Sequence, residues 1–187
     1  MGEDEVTQLT AKDCLRNKYL TAMKGYITSP RDPFLPLMTN FILKNQDMVS
    51  SMPIIRRGYF ARMASQKMVL DQFLGANATA TGATQILCLG CGYDTELWSL
   101  TLSSQGKISL FEVDFPIVVH KKKEFCRTLQ ATKNNPATRK IETSDNSIVT
   151  NVAFDDPNCP IHFVPCDLRD DVNLIVDNLV NAGLLYL

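Results

Sequence analysis

The sequence predicts an α/β fold with a doubly wound parallel sheet, built from a β-α-β-α-β unit. Three short apolar runs, at residues 86–89, 107–114 and 161–167, indicate strands, and segments with helical spacing of apolar residues separate them. The first run stops at Gly90-Cys91-Gly92, where two glycines allow a sharp turn and a close approach of the backbone to a ligand. A strand, a glycine turn and a helix N-terminus form the nucleotide-binding arrangement of such sheets.

The composition is that of a globular protein rather than of a nucleic-acid-binding or membrane protein. The chain has 187 residues, 45% of them hydrophobic, and a net charge of −1, which leaves no basic footprint for nucleic acid. Its apolar runs are shorter than the ~20 residues that a membrane helix needs. The first residues are acidic and lack the basic region of a signal peptide, and the six cysteines are scattered. We therefore expect a cytoplasmic protein with reduced thiols.

Helices are predicted before the first strand. Residues 12–24 form the first, with Lys18 on the flank of its apolar stripe, and residues 34–43 form a short second one. Pro53 begins a stronger helix that contains Arg62. The stripe of the first helix is Leu15, Tyr19, Ala22 and Met23, and the apolar side of the third is Phe60, Met63, Ala64, Met68 and residues 70–74.

The segments after the glycine turn alternate between helix and loop. Asp94 fits the N-cap of a helix, and Pro116 fits the first position of another, in which the lysine run 121–123 is expected to face solvent. Residues 132–160 are polar and predict a long loop. Asp171 and its acidic neighbour begin a clear amphipathic helix after the third strand.

Acidic residues follow the second and third predicted strands. Ligands in such sheets bind at the carboxyl ends of the strands, where Gly90, Glu112, Asp114 and Asp167 are expected to meet. An acid about 20 residues after the glycines can hold ribose hydroxyls, and Asp167 is able to accept a hydrogen bond from an adenine amino group. The alternative is that the glycines only form a tight turn and the acids only cap helices.

The glycine turn favours a nucleoside ligand without phosphate. A dinucleotide fingerprint has a third glycine where this chain has Thr95, and the GxxxxGK pattern of a phosphate loop is absent from the sequence. A ligand with ribose and adenine but no phosphate fits better, and S-adenosylmethionine is the obvious one.

The same stretch gives weaker support for two other functions, a redox cysteine pair and a zinc site. The Cys88–Cys91 spacing is that of a redox pair, but Cys88 belongs to the apolar run of a strand and the residues between lack the usual proline. A zinc site needs further ligands, and the remaining cysteines and histidines show no paired spacing. His162 alternates with apolar residues in a strand and is expected to be structural.

Beyond these patterns, four strings of the sequence resemble the leucine carboxyl methyltransferase family. They are RGYFAR at 57–62, LGCGYDT at 89–95, FEVDFP at 111–116 and CDLRD at 166–170, with looser matches at 17–19, 25–26 and 32–33. The family methylates the C-terminal leucine carboxylate of the protein phosphatase 2A catalytic subunit. A related branch, the carboxyl methyltransferases of tRNA wybutosine synthesis, shares similar motifs and remains the rival.

The resemblance implies a Rossmann-like S-adenosylmethionine-dependent methyltransferase fold and a cofactor site. Residues 1–80 would form an N-terminal helical lid that grips the cofactor, and residues 81–187 the first half of the methyltransferase domain. By position, the implied cofactor contacts are Lys18 and Arg62 to its carboxylate, Gly90 in the turn, Asp114 to the ribose (with Glu112 in reserve), and Asp167 with Leu168 to the adenine. No catalytic acid, base or metal is implied, because the attacking carboxylate is already ionised at neutral pH.

The chain resembles only the first half of the family's fold, which would leave the acceptor site outside it. We therefore expect the 187-residue chain alone to methylate little, and residues 86–89 to form an exposed sheet edge that drives dimerisation. A non-catalytic cofactor-binding or scaffold fragment is the alternative function.

Overall fold

A computed structural model describes residues 3–24, 32–44, 52–77, 84–133, 154, 156 and 158–185. The chain divides into two compact units, Met1–Gly82 and Ala83–Leu187, and each is described by itself. The predicted loop at 132–160 lies mostly outside the described residues.

The first unit is helical. Its helices are α1 (Glu3–Met23), α2 (Leu35–Leu43) and α3 (Pro53–Ala76), and α1 packs against both others. Asp32 lies just before the N-cap Phe34 of α2, and its Oδ1 accepts hydrogen bonds from the backbone N–H groups of Phe34 and Leu35 at 2.9 and 3.3 Å. The apolar residues buried in this unit are Leu15, Phe34, Leu35, Met38, Leu43 and Met63.

The predicted apolar face of α1 is partly wrong. The structure buries Leu15, Lys18 and Thr21, which follow each other every three residues, whereas Met23 is 65% exposed. Lys18, expected on the flank, is only 5% exposed. Thr21 compensates for its burial by donating its hydroxyl hydrogen to the backbone carbonyl of Asn17 at 2.7 Å.

The apolar side predicted for α3 is largely exposed. In the described part of this helix only Met63 is buried, and Phe60 and Met68 are 41% and 58% exposed. Helical spacing identifies an apolar face correctly, but it does not say whether a neighbouring element covers that face.

The second unit contains a parallel sheet, which confirms the predicted α/β fold. Its described strands are β1 (Thr84–Leu89), β2 (Ile108–Asp114) and β3 (Ile161–Pro165), in the order β1-β2-β3. The helices α4 (Glu96–Ser103), α5 (Pro116–Lys133) and α6 (Val172–Asn181) connect or follow them. The pairing of Leu89 with Val113, and of Asp114 with Pro165, brings the carboxyl ends of all three strands together.

Alternate residues of β2 face the two layers of helices. Phe111 and Val113 pack with Val164 and Leu179, the latter from α6. Residues of the opposite parity, Glu112 among them, contact α4 and α5. Because β2 is central among the described strands and covered on both faces, all but one of its residues are buried.

β1 is partly exposed. Among the described strands it pairs with β2 alone, and Leu87 and Leu89 are 41% and 56% exposed. This position matches the expected sheet edge. Gln85 in β1 exchanges two hydrogen bonds with the backbone of Leu185, at 3.2 and 2.9 Å, so the segment after α6 lies beside the beginning of β1.

α1 begins at Glu3 rather than at the predicted residue 12, whereas the starts of the other helices agree with the sequence to within a residue or two. Pro116 occupies the first position of α5 as expected, and Asp171 caps α6 by accepting a hydrogen bond from the Asn173 N–H at 2.8 Å. The N-cap of α4 is Thr95 rather than Asp94, but the Asp94 carboxylate still accepts the Glu96 N–H at 2.9 Å. Among the described helices, none is long and apolar enough to cross a membrane.

His162 makes the stability of the second unit depend on pH. Its ring stacks on Phe111 with centroids 4.6 Å apart, and burial lowers the pKa of His162 below its ordinary value. The neutral ring therefore stabilises the fold above pH of about 6.5, and that stability is lost as pH falls through the lowered folded-state pKa.

We expect the free energy of unfolding, measured in urea, to decrease between pH 7.5 and pH 5.5, and to decrease less in His162→Gln. His120→Gln, at an exposed histidine of α5, is the matched control. An equal pH dependence in the wild type and in His162→Gln would contradict this assignment.

Candidate functional site

The glycine turn after β1 depends on two residues with left-handed backbone. Gly90 and Gly92 have φ angles of +64° and +54°, which side chains other than glycine adopt only with strain. The backbone N–H groups of Gly90 and Cys91 both donate to the Val113 carbonyl, at 2.8 and 3.2 Å. The turn is thus joined to the end of β2, as the sequence predicts.

Asp114 connects the end of β2 to the same turn. Its Oδ2 accepts the Gly92 N–H at 2.6 Å and its Oδ1 accepts the Phe115 N–H at 2.7 Å. Hydrogen bonds to a charged acceptor are among the stronger ones in proteins. A carboxylate offers about four lone-pair sites, so two backbone donors leave Asp114 capacity for ligand hydroxyls.

Asp167 lies directly beyond β3. The Cys166 N–H donates to the Asp114 carbonyl at 2.9 Å, so the first residues after β3 adjoin the end of β2. The Asp167 carboxylate accepts hydrogen bonds from Nε and Nη2 of Arg169, at 2.9 and 2.6 Å, and these bonds lower the pKa of Asp167. Asp167 is therefore ionised at neutral pH, beside a Leu168 that is 43% exposed.

Beneath the turn lies a buried charged network that the sequence did not reveal. Lys122 of α5 is 0% exposed, and its Nζ is 2.6 Å from Oε2 of Glu112, which is itself only 3% exposed. Trp98 of α4 donates its Nε1–H to Oε1 of Glu112 at 3.0 Å. Lys122 also donates to the Asp94 carbonyl at 2.7 Å, which links the network to the turn.

This network corrects two predictions. The lysine run 121–123 does not lie wholly on a solvated face, since Lys122 is buried. Glu112 is not a reserve for ribose binding, because it is enclosed with Trp98 and Lys122. A signal was present: Lys122 is four residues after Val118 and three before Phe125, which places it on the apolar face of α5.

The ammonium group of Lys122 is held charged by its neighbours. Burial opposes the charged form, but the Glu112 carboxylate beside Lys122 outweighs it, and the pKa of Lys122 is raised above its ordinary value. The Cys91 Sγ lies 3.7 Å from Nζ of Lys122.

The thiols near the turn are not activated. Burial raises the pKa of Cys88 to about 11 and raises the pKa of Cys91 still further. Both are protonated at neutral pH, and a thiol in that state is a poor nucleophile and a poor metal ligand. Neither thiol is therefore activated as a nucleophile or as a metal ligand.

The first unit carries the two basic residues of the expected cofactor site. Burial raises the pKa of Tyr59 of α3, and the neighbouring Cys14 of α1 adds to that rise. Arg62, one turn further along α3, is exposed and close enough to Tyr59 to oppose that rise. Lys18 follows Cys14 by one turn of α1, so both basic residues border the contact between α1 and α3.

Comparison with known proteins identifies the family. The model of the family described as leucine carboxyl methyltransferase matches residues 22–184. The chain belongs to the leucine carboxyl methyltransferase family. The match includes the glycine turn and the strand ends with Asp114 and Asp167.

Several curated relatives share the name of leucine carboxyl methyltransferase 1. The chain is 33% identical to that of Caenorhabditis elegans over 65% of its own length and 34% of the relative. It is 29% identical to that of Yarrowia lipolytica, over 66% and 42%, and 31% identical to that of Rattus norvegicus, over 72% and 35%. The chain therefore spans between 34% and 42% of the length of these three relatives.

Within this family member, the structure brings together some of the expected site residues. Gly90, Asp114, Asp167 and Leu168 all lie at the carboxyl ends of the strands in the second unit. Lys18 and Arg62 lie on neighbouring helices of the first unit.

Proposed function

We propose that this chain forms the S-adenosylmethionine-binding part of a carboxyl methyltransferase. The observation that carries the proposal is Asp114, whose carboxylate joins the Gly90–Gly92 turn to the end of β2 through the Gly92 N–H at 2.6 Å. Family membership supports the same conclusion. The acceptor would be the C-terminal leucine carboxylate of the protein phosphatase 2A catalytic subunit.

The residues at the strand ends fit such a cofactor. Asp114 retains acceptor capacity for ribose hydroxyls, and Asp167 is an ionised acceptor for an adenine amino group. The exposed side chain of Leu168 offers an apolar surface for the adenine ring. In the first unit, Lys18 and Arg62 would hold the carboxylate of the cofactor, since a guanidinium matches a carboxylate with two parallel donors.

The reaction requires little acid–base chemistry from the protein. When bound, the cofactor supplies a methyl group activated by its sulfonium. A C-terminal carboxylate has a reference pKa of about 3.5, so it is ionised at neutral pH and needs no general base. The residues of the protein would act by aligning the two reactants and excluding water.

A non-catalytic cofactor-binding or scaffold role is the second candidate. The chain spans 34% of its Caenorhabditis elegans relative, and β1 is an edge among the described strands. In that case the chain would bind the cofactor without binding the leucine acceptor.

A methyl-transfer assay tests whether this chain already contains the acceptor site. Residues 1–187 are incubated with S-adenosylmethionine and the phosphatase catalytic subunit, and with peptides that end in a leucine carboxylate or a leucine amide. We expect little or no ester by mass spectrometry from this chain alone. Robust esterification of the carboxylate but not the amide would show that these 187 residues already contain the acceptor site. Modification of both peptides would contradict a carboxylate acceptor.

The proposed contact between Arg62 and the cofactor carboxylate can be tested by substitution of Arg62. Arg62→Ala should weaken S-adenosylmethionine binding by roughly 1.5–3 kcal/mol, about 10- to 150-fold in Kd, because a charge-assisted hydrogen bond is lost. Arg57→Ala, at another exposed arginine of α3, is the control. If calorimetry gives the same Kd for Arg62→Ala and the wild type, Arg62 is an ordinary surface cation.

A further inference from the structure

Lys122 connects the helix α5 to the glycine turn through the contacts of its ammonium group. Its Nζ is 2.7 Å from the Asp94 carbonyl, 2.6 Å from Glu112 Oε2 and 3.7 Å from Cys91 Sγ. Two of these three partners, Asp94 and Cys91, belong to the segment between β1 and α4. An ammonium group has three N–H donors, so three partners match its full capacity.

Burying a charged group at this position costs free energy that an apolar side chain would not cost. Lys122 and Glu112 are 0% and 3% exposed, and apolar residues of similar volume often replace a buried ion pair without loss of stability. An apolar side chain would, however, leave the Asp94 carbonyl without its donor. The hydrogen bond to Asp94 is what distinguishes Lys122 from a packing residue.

Two side chains, those of Asp114 and Lys122, form hydrogen bonds with the backbone of the turn. Asp114 holds the Gly92 N–H at 2.6 Å, and Lys122 holds the Asp94 carbonyl two residues later at 2.7 Å. The Asp94 carboxylate in turn accepts the Glu96 N–H, at the first residue of α4. Contacts within the second unit therefore fix the path of the backbone from the glycines to α4.

We infer that Lys122 is a positioning residue that holds the Gly90–Asp94 turn in its binding conformation and so increases affinity for the adenosyl cofactor. The inference rests on the proposed function. A turn that is ordered before binding loses little conformational entropy when the ligand binds. The smaller entropy loss increases the affinity for the ligand.

The test uses a variant designed to fold. Lys122→Met together with Glu112→Gln removes both charges, keeps the volume, and leaves an amide oxygen for the Trp98 Nε1–H. The single variant Glu112→Gln keeps the hydrogen bond from Lys122 to Asp94. Lys121→Met with Glu124→Gln is the matched control, because this neighbouring pair lies near the surface of the same helix, 2.7 Å apart.

The first readout needs no ligand. The Gly92, Asp94 and Glu96 amides have hydrogen-bond acceptors, so their hydrogen exchange should be slow in the wild type. In Lys122→Met/Glu112→Gln we expect exchange about tenfold faster at these amides and unchanged at Leu110 in β2. Glu112→Gln and the control pair should resemble the wild type. Unchanged exchange in the turn would overturn the inference.

The second readout is the Kd for S-adenosylmethionine by calorimetry. We expect it to increase about tenfold in Lys122→Met/Glu112→Gln and less than about threefold in Glu112→Gln and the control. Faster exchange with an unchanged Kd would also overturn the inference. A wild-type chain that fails to bind the cofactor would count against the proposed function, while the exchange data would still show whether Lys122 orders the turn.

A wild-type measurement covers the case in which the double variant does not fold. In the ligand-free wild type, exchange at Gly92 and Asp94 should be within about tenfold of that at Leu110 in β2, because the turn is already ordered. Exchange at these two amides as fast as in an unstructured chain would overturn the inference.

Discussion

Lys122→Met alone should lower the free energy of unfolding by about 3–5 kcal/mol, the cost of removing one partner from a buried ion pair. Glu112 would remain 3% exposed with only the Trp98 Nε1–H as a hydrogen-bond partner from this network, and the Asp94 carbonyl would lose the donor at 2.7 Å. Urea unfolding followed by tryptophan fluorescence measures this directly, since Trp98 is the single tryptophan of the sequence and is fully buried.

The neighbouring lysine gives the control for that prediction. Lys121 pairs with Glu124 at 2.7 Å, but both side chains are more than 40% exposed. Lys121→Met should therefore cost only about 0–1 kcal/mol. Comparable small losses for the two variants would contradict the account of the buried network, and would mean that water reaches Glu112.

The second large effect concerns self-association of the 187-residue chain. We propose that β1 is the contact: its six residues carry no charge, Leu87 and Leu89 are 41% and 56% exposed, and among the described strands it pairs on one side only. Unpaired backbone groups along an apolar edge promote pairing with another chain. We expect dimers or larger species at micromolar concentrations.

A charge at the edge should suppress that association. Leu87→Lys should shift the light-scattering mass to that of a monomer, because charged side chains, lysine especially, discourage edge pairing. Leu174→Lys makes the same substitution at a 50% exposed position on α6 and should leave the mass unchanged. A monomeric wild type, or an equal effect of both substitutions, would exclude β1 as the contact.

The strands and the glycine turn could be predicted because their signals are local. Glycines and acids mark the end of each apolar run, and β2 begins only one residue after the predicted position. The positive φ angles of Gly90 and Gly92 follow from the same residues. Asp114 was identified by its position at the end of a strand, and the structure adds its hydrogen bond to Gly92.

The network around Lys122 could not be predicted from polarity. A lysine within a run of three is normally solvated, and its burial depends on Glu112, ten residues earlier on another element. Likewise, the exposure of Phe60 and Met68 depends on which elements cover α3 rather than on their spacing along it. Both failures concern tertiary contacts. The spacing of Lys122 places it on the apolar face of α5, but local pattern does not identify Glu112 as its partner or the elements that cover α3.

Calorimetric titration of the 187-residue chain with S-adenosylmethionine, its demethylated product and NAD tests the central claim most directly. The account predicts that the first two bind and that NAD does not, because the turn has Thr95 in place of the third glycine of a dinucleotide site. Asp114→Ala should abolish or greatly weaken that binding. Tighter binding of NAD than of both sulfur-containing ligands would contradict the account.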